Sequence, residues 1–213
     1  MADGTYPPPH YLEPDRASAL ALVRDYPLAS FIVADGDRPY ATALPMVLAD
    51  PDAASCELVA HLDANNPAAE LVADGREALA VFHGPSSYIS PADYTTRQLP
   101  TYNYLHVHAR GRLRRVSDAE ARADLYRLSR AMEPAGRWAL AEDDGRVNAL
   151  LPHIVGFRLV VEELTGRFKL SQDKRLADRE AAWARLAGTR PAASRPNPPP
   201  SVRLSPKRAD GGD

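Results

Sequence analysis

The sequence predicts an α+β fold, a small β-barrel of five or six strands with peripheral helices. Three observations point to it. Residues 99–116, LPTYNYLHVHARGRLRRV, separate in steps of two into an apolar set (Leu105, Val107, Ala109, Gly111, Leu113) and a polar set (Tyr104, His106, His108, Arg110, Arg112, Arg114). Successive strand side chains face opposite sides of a sheet, so this is a strand with one buried and one open face. Further short β-type segments follow one another, bounded by Gly, Pro, Asp and Asn. Helix-start signals fall between them, among them the capping box Ser117-Asp118-Ala119-Glu120. Strands with helices inserted in this way pack as a closed sheet with helices outside.

Taken in order, Asp15 can cap a helix to about Asp25, with Ala19, Leu20, Leu22 and Val23 as its apolar stripe and Pro27 as its stop. Leu28–Ala34 and Tyr40–Leu48 read as a hairpin joined by ADGDRP. Glu57–Leu62 is a third strand that runs into DANNP, where Pro67 suits the first turn of a short helix to about Ala73. Ala78–His83 is a fourth strand, and the loop GPSSYISPADYTT separates it from the strand at 99–116. The capping box opens a helix with Leu125, Leu128 and Met132 on one side. A charged loop to about Gly145 precedes a short helix ending near His153, and β-branched Ile154–Val161 is a buried strand. LTGRFKLSQDK turns out of it, and Leu176–Leu186 closes the domain as a helix.

The expected organisation is an N-terminal extension (1–14), one domain (15–189) and a disordered, Pro-rich tail (190–213) that has too few apolar groups to offset its ordering entropy. A net charge of −2 provides no basic field, so nucleic acid is not an expected partner. The single cysteine, Cys56, excludes an internal disulfide framework and suits a reducing cytoplasm. The start has no basic and apolar leader, and no apolar run reaches membrane-spanning length, so a cytoplasmic protein is expected.

Walker, GxGxxG, CxxC, HExxH and GxSxG motifs are absent. The chemistry on offer is the polar face of residues 99–116. There, imidazoles and a phenol that can bind metal or move protons precede arginines that can pair with anions. His106 and His108 share that strand face and could ligate a metal together.

Three segments also carry a family resemblance: FHGPSSYISPADY (82–94), PTYNYLHVHARG (100–111) and KLSQDKRLADR (169–179). Together they resemble the PaiB-like proteins, homodimeric split β-barrels of the wider flavin-reductase-like group, labelled FMN-binding negative transcriptional regulators. The resemblance spans roughly residues 5–187. It implies a homodimeric split β-barrel with a cofactor between strands of both subunits.

The chain departs from the family pattern at informative places. The strand-to-loop motif of the family resembles GHxARANPxW, and here residues 60–69 read AHLDANNPAA. His61, Asn66 and Pro67 match, but the arginine that would anchor an FMN phosphate is Ala64, next to Asp63. Asp93 and Tyr102 stand where tryptophans are usual, and KLSQN becomes KLSQD, ending in Asp173.

These departures make the chain similar to a divergent biosynthetic branch, the piperazate synthases, which use heme b to close N5-hydroxy-L-ornithine to L-piperazic acid by forming an N–N bond. That reaction is a redox-neutral dehydration, in which iron would polarise the N–O bond and a nearby base would keep the α-amine neutral.

The resemblance implies a small amino-acid-like substrate and a second copy of the chain as partners. It also implies His61 as the axial metal ligand, with His106 and His108 next, and His10 and His153 in less suggestive settings. Propionates would want Arg110, Arg112, Arg167 or Lys169, and Tyr88 or Tyr104 could donate to substrate or stack on the macrocycle. The catalytic set is then Tyr104, His106 and Lys169, and the cofactor set His61, Asn65, Asn66, His108, Arg110, Lys169 and Gln172. The alternative is an FMN-binding PaiB-like transcriptional regulator or a flavin-dependent oxidoreductase. A regulator calls for a basic DNA-reading helix, and the helix at 117–133 mixes Arg122, Arg127 and Arg130 with Asp118, Glu120, Asp124 and Glu133.

Overall fold

The computed structural model describes residues 8–13, 15–50, 55–133, 137–141 and 144–188, so the expected tail (190–213) lies outside the described residues. The elements are β1 (Leu12–Glu13), α1 (Arg16–Asp25), β2 (Leu28–Asp35), β3 (Arg38–Pro45), β4 (Val47–Leu48), β5 (Glu57–Asp63), β6 (Glu77–Ile89), β7 (Thr101–Arg115), α2 (Asp118–Met132), α3 (Gly145–Leu150), β8 (Ile154–Lys169) and α4 (Leu176–Gly188). Short 3-10 turns lie at Pro9–Tyr11, Pro67–Leu71, Pro91–Asp93 and Leu151–His153. The chain forms two compact units: Met1–Ser18, Pro85–Leu105 and Gly166–Asp213 make one, Ala19–Gly84 and His106–Thr165 the other. No helix among the described residues is long and apolar enough to cross a membrane.

In the second unit the strands form the barrel. The order is β3-β2-β6-β7-β8-β5-β4, and its two ends, β3 and β4, are separated in the chain by Met46 alone. One residue spans only a few ångströms, so the sheet must curl until its edges meet. This corrects the single strand expected over residues 40–48. β3 pairs with β2 (Ala29↔Leu44, Phe31↔Thr42), whereas Val47 and Leu48 pair with Val59 and Leu58 of β5. The partner changes at Met46, which is fully buried and donates its N–H to the Pro27 carbonyl at 2.8 Å.

Apolar residues on alternate strand positions fill the interior. Phe31, Phe82, Phe157, Leu58, Leu159 and Val107 are wholly buried, and the Phe31 and Phe157 rings pack 4.9 Å apart. The apolar set expected on β7 is buried as read. Gly111 belongs to that set for a steric reason: a methyl group there would lie 1.9 Å from the Val160 carbonyl oxygen of β8.

Outside the barrel, α2 opens with the expected capping box. Ser117 Oγ accepts the Glu120 N–H at 3.3 Å, and the Glu120 carboxylate accepts the Ser117 N–H at 3.0 Å. Leu128 of α2 packs on Val47 and Val59. Gly156 of β8 lets the helix come close, since a methyl there would lie 2.9 Å from Ala121 Cβ.

In the first unit β1 pairs with the end of β8 (Leu12↔Arg167, Glu13↔Gly166). Both β6 and β8 run longer than expected. Gly84 and Pro85 read as a turn, yet the strand runs on through them, with burial on even positions to Phe82 and on the odd positions Ser87 and Ile89 beyond. Gly166 also read as a turn residue, but a methyl there would lie 2.8 Å from Glu13 Cβ, so it serves close strand approach.

The three family-like segments meet in a buried polar network of this unit. Ser171 Oγ lies 3.1 Å from Tyr94 Oη and accepts from Asn103 Nδ2 at 3.0 Å. Ser171 holds φ at 62°, a conformation that costs a non-glycine residue on the order of 1–2 kcal/mol, and its two hydrogen bonds hold it there. Asp178 of α4, wholly buried, accepts from the amide and hydroxyl of both Thr95 and Thr96. Those bonds hold its carboxyl far below the usual carboxylate range.

Replacing Gly111 by Ala should destabilise the barrel by at least about 1–3 kcal/mol, read as a lower urea midpoint, because the obstacle is backbone rather than a movable side chain. Asp178→Ala should release the 94–98 segment. Hydrogen exchange at the Thr95 and Thr96 amides should then rise selectively, while the amides of β2 keep their protection.

Candidate functional site

Three neighbouring strands of the barrel, β2, β6 and β7, bring a polar row to their outer face. Ser30 of β2 pairs across from Val81, so His83 is its diagonal neighbour. The Ser30 hydroxyl lies 3.1 Å from His83 Nε2, and His83 Nδ1 lies 3.4 Å from His106 Nε2, with the two rings edge-on at 4.7 Å. A hydroxyl and two imidazoles in a line can hand a proton along by exchanging tautomers. His83 and Ser30 also line a cavity of about 440 Å³ with Pro27 and Ala43.

His83 and Ser30 are the residues the sequence reading passed over. His83 stood at the end of a strand, beside an apparent loop. The available signal was register: Phe82 is buried, so the next side chain must face outward.

Further along β7, His108 is half-buried and Arg110 is exposed with its guanidinium 3.8 Å from Glu77. Arg112 bonds Glu162 at 3.2 Å and the Gly75 carbonyl at 3.0 Å.

His61 lies on β5 opposite Gly156 of β8, and it lines a different cavity. Its Nδ1 is buried and meets no hydrogen-bond partner among the described residues. Burial pushes the imidazolium pKa below its ordinary value, so the ring is neutral in neutral solution. The cavity, about 510 Å³, is walled by Leu125, Leu128, Val147 and Leu150, with Trp138 and Arg146 among its other lining residues. Trp138, Met132 and Leu150 around it are exposed by 52%, 45% and 41%, an unusual amount of open apolar surface. His106, His108 and Arg110 do not line it. The structure therefore keeps His61 apart from the β7 row.

The loop after β5 is closed by its own side chains. Asp63 Oδ1 accepts from the Asn65 amide at 2.8 Å and from Asn65 Nδ2 at 3.0 Å. Asn66 caps the following 3-10 turn through the Ala68 N–H at 2.9 Å, and its Nδ2 reaches Thr42 Oγ1 at 3.3 Å.

Among the first-unit candidates, Lys169 Nζ donates to Thr101 Oγ1 at 2.7 Å and stands 6.0 Å from the Tyr11 ring centre. Gln172 closes the turn after β8, accepting the Leu170 N–H at 2.6 Å and donating to the Phe168 carbonyl. Tyr104 is half-buried. Among the described residues, no three His, Cys, Asp or Glu side chains cluster as a metal site.

A family model described as "Putative FMN-binding domain" matches residues 5–163. The chain belongs to this family. The Bacillus subtilis (strain 168) protein named "Protease synthase and sporulation protein PAI 2" is 26% identical over 160 residues, which cover 74% of this chain and 77% of that one. Two solved structures share the fold. The FAD and heme binding protein of Mycobacterium smegmatis has a TM-score of 0.59 at 18% identity, over 91% of this chain and 96% of that one. The flavocytochrome Anf3 of Azotobacter vinelandii has a TM-score of 0.56 at 12% identity, over 75% and 69%. The PaiB-like resemblance and the α+β split β-barrel are thus both borne out.

The His61 cavity offers a heme apolar walls and a neutral imidazole with an orphaned nitrogen, while its rim guanidinium, Arg146, is paired with Asp144, and Glu133 also lines the cavity. At 63–66 the arginine that the family resemblance implies as the FMN phosphate anchor is absent, and Asp63 adds a carboxylate that accepts from the Asn65 amide.

The depressed pKa of His61 has a defined consequence. The unfolded chain takes up a proton at about pH 6.5, where folded His61 still refuses it. Stability from this site is therefore complete above that pH and declines below it. Urea unfolding at a series of pH values should show His61→Leu gaining on wild type as the pH falls through about 6.5. A constant gap would mean His61 titrates normally.

Proposed function

We propose that this protein is a heme-dependent biosynthetic enzyme that closes N5-hydroxy-L-ornithine to L-piperazic acid. The observation that supports heme is His61, a neutral, unpartnered imidazole in an apolar cavity. The resemblance to the piperazate synthase branch supplies the substrate. The fold neighbours are consistent with it: one is described as binding FAD and heme, the other as a flavocytochrome.

In this reading His61 would hold the heme iron, Leu125, Leu128 and Val147 would pack against the group, and Arg146 could meet a propionate only by leaving Asp144. Bound heme supplies Lewis acidity toward an N–O oxygen. The α-amine must be neutral to attack. The His106–His83–Ser30 row can pass a proton along, but it does not line the His61 cavity, and neither do Tyr104, Lys169, Asn65, His108 and Arg110, so none of them is given a step at that cavity. Asn66 and Gln172 act through the turns they hold. We place this activity in a cytoplasmic homodimer, as the resemblance implies.

Family membership favours a second reading, an FMN-binding regulator or flavin-dependent oxidoreductase. Absorption of the purified protein separates the two. Heme predicts a Soret band at about 400 nm and flavin predicts twin bands at about 370 and 450 nm. Hemin titrated into the apoprotein should bind, with His61→Ala stripping or reshaping the Soret band. Micromolar FMN affinity with no hemin response would overturn the heme reading. Heme binding without turnover of N5-hydroxy-L-ornithine would overturn the substrate alone.

A further inference from the structure

A second concavity of the barrel unit lies on the other flank of α2. It measures about 700 Å³ and is bordered by Arg24, Arg122, Arg127 and Arg130. Its floor is Val47, Leu48, Tyr126 and four alanines. The α2 residues at this surface, from Ala119 to Ala131, recur every three or four positions and so form one helix face. The sequence of α2 alternates in sign, which predicts a mixed, solvated face. The fold sorts those charges instead. Asp124 is turned inward onto Arg158, and Glu120 is engaged with Ser117 and Arg114. No Asp or Glu lines the cavity among the described residues, and Arg24, Arg122 and Arg130 have no carboxylate partner there.

We infer that this groove binds a nucleoside di- or triphosphate. Arg127 is paired with Asp124, but Arg24, Arg122 and Arg130 are gathered without counter-charges, which favours an occupant with several negative charges, and guanidinium forks match phosphate oxygens two at a time. The alanine floor with Tyr126 offers a smooth apolar surface for a flat ring. The volume exceeds what inorganic phosphate would fill and lies in the range of small-molecule sites. The groove is concave, whereas reading duplex DNA takes a helix that projects into a groove of the nucleic acid. This site is separate from the His61 cavity and does not depend on the cofactor there.

Isothermal titration of the full-length protein with ATP, ADP, sodium pyrophosphate, decanoate and a short DNA duplex tests the assignment. ATP and ADP should bind with micromolar affinity that weakens with salt, more tightly than pyrophosphate, which lacks the ring. Arg122→Ala and Arg130→Ala should each weaken ATP on the order of tenfold or more, and Arg122→Lys should recover part of the loss. Both variants should leave the cofactor absorption spectrum unchanged. The inference fails if neither nucleotide binds at millimolar concentration, or if the alanine variants bind ATP as wild type does. It fails equally if decanoate or DNA binds through these arginines and the nucleotides do not.

Discussion

The pairing of Asp124 with Arg158 fixes where α2 lies, and two cavities of the barrel unit, the His61 cavity and the arginine-bordered groove, are flanks of that helix. Asp124 is 3% exposed, and its two oxygens receive Nε and Nη2 of Arg158 at 3.0 Å each, while Nη1 of the same guanidinium reaches Glu57 at 3.1 Å. Asp124, followed by Glu57, also raises the Arg158 pKa, so the cation is never in question. A buried pair of this kind adds little net stability over a hydrophobic replacement, yet losing one partner costs on the order of 3–5 kcal/mol. What it contributes is position. The bidentate geometry admits one rotation of α2 about its axis. That rotation puts Leu128 on Val47 and Val59, Leu125 beside the His61 cavity and the arginines along the opposite groove.

Glycine completes the constraint. Gly156 lies opposite His61 in the ladder, and only a residue without a side chain allows Ala121 to approach there. His61 itself is half-buried, its Nδ1 meets no partner among the described residues, and burial holds its ring neutral.

These dependencies explain what was legible in the sequence. The alternation of β7 was readable because one face of that strand is buried along its whole length, and burial is what hydrophobic periodicity records. The caps at Asp15 and Ser117 were readable because a cap is a local bond. The break at Met46 was not, since it is a change of strand partner and leaves the local pattern apolar throughout. Gly84 and Gly166 misled in the same way, for a glycine that permits a turn and one that permits close contact look alike in sequence. His61 was picked out by a motif, but its orphaned nitrogen is a property of the fold. The relay at His83 joins residues from three strands, and the sorting of charge on α2 needs a guanidinium from β8.

The choice between flavin and heme turns on how little separates their requirements. Both are flat, largely apolar and anionic, so a split barrel that offers an apolar wall and a cation suits either. What distinguishes them is one anchor each. FMN concentrates nearly two charges in a terminal phosphate, which calls for a cation and free amides, whereas heme spreads its charge over two propionates and calls for a neutral donor to iron. Three positions within four residues, at the end of β5 and the start of the loop after it, bear on both anchors. Ala64 lacks the cation, Asp63 takes the Asn65 amide, and two residues earlier His61 presents a neutral imidazole with a nitrogen to spare. Removing the phosphate anchor alone would leave a weakened flavin site, and a buried histidine alone would be an ordinary core residue. Together they bear on both ligand chemistries in the same stretch of chain, and that coincidence is what supports the heme proposal beside the family's flavin precedent.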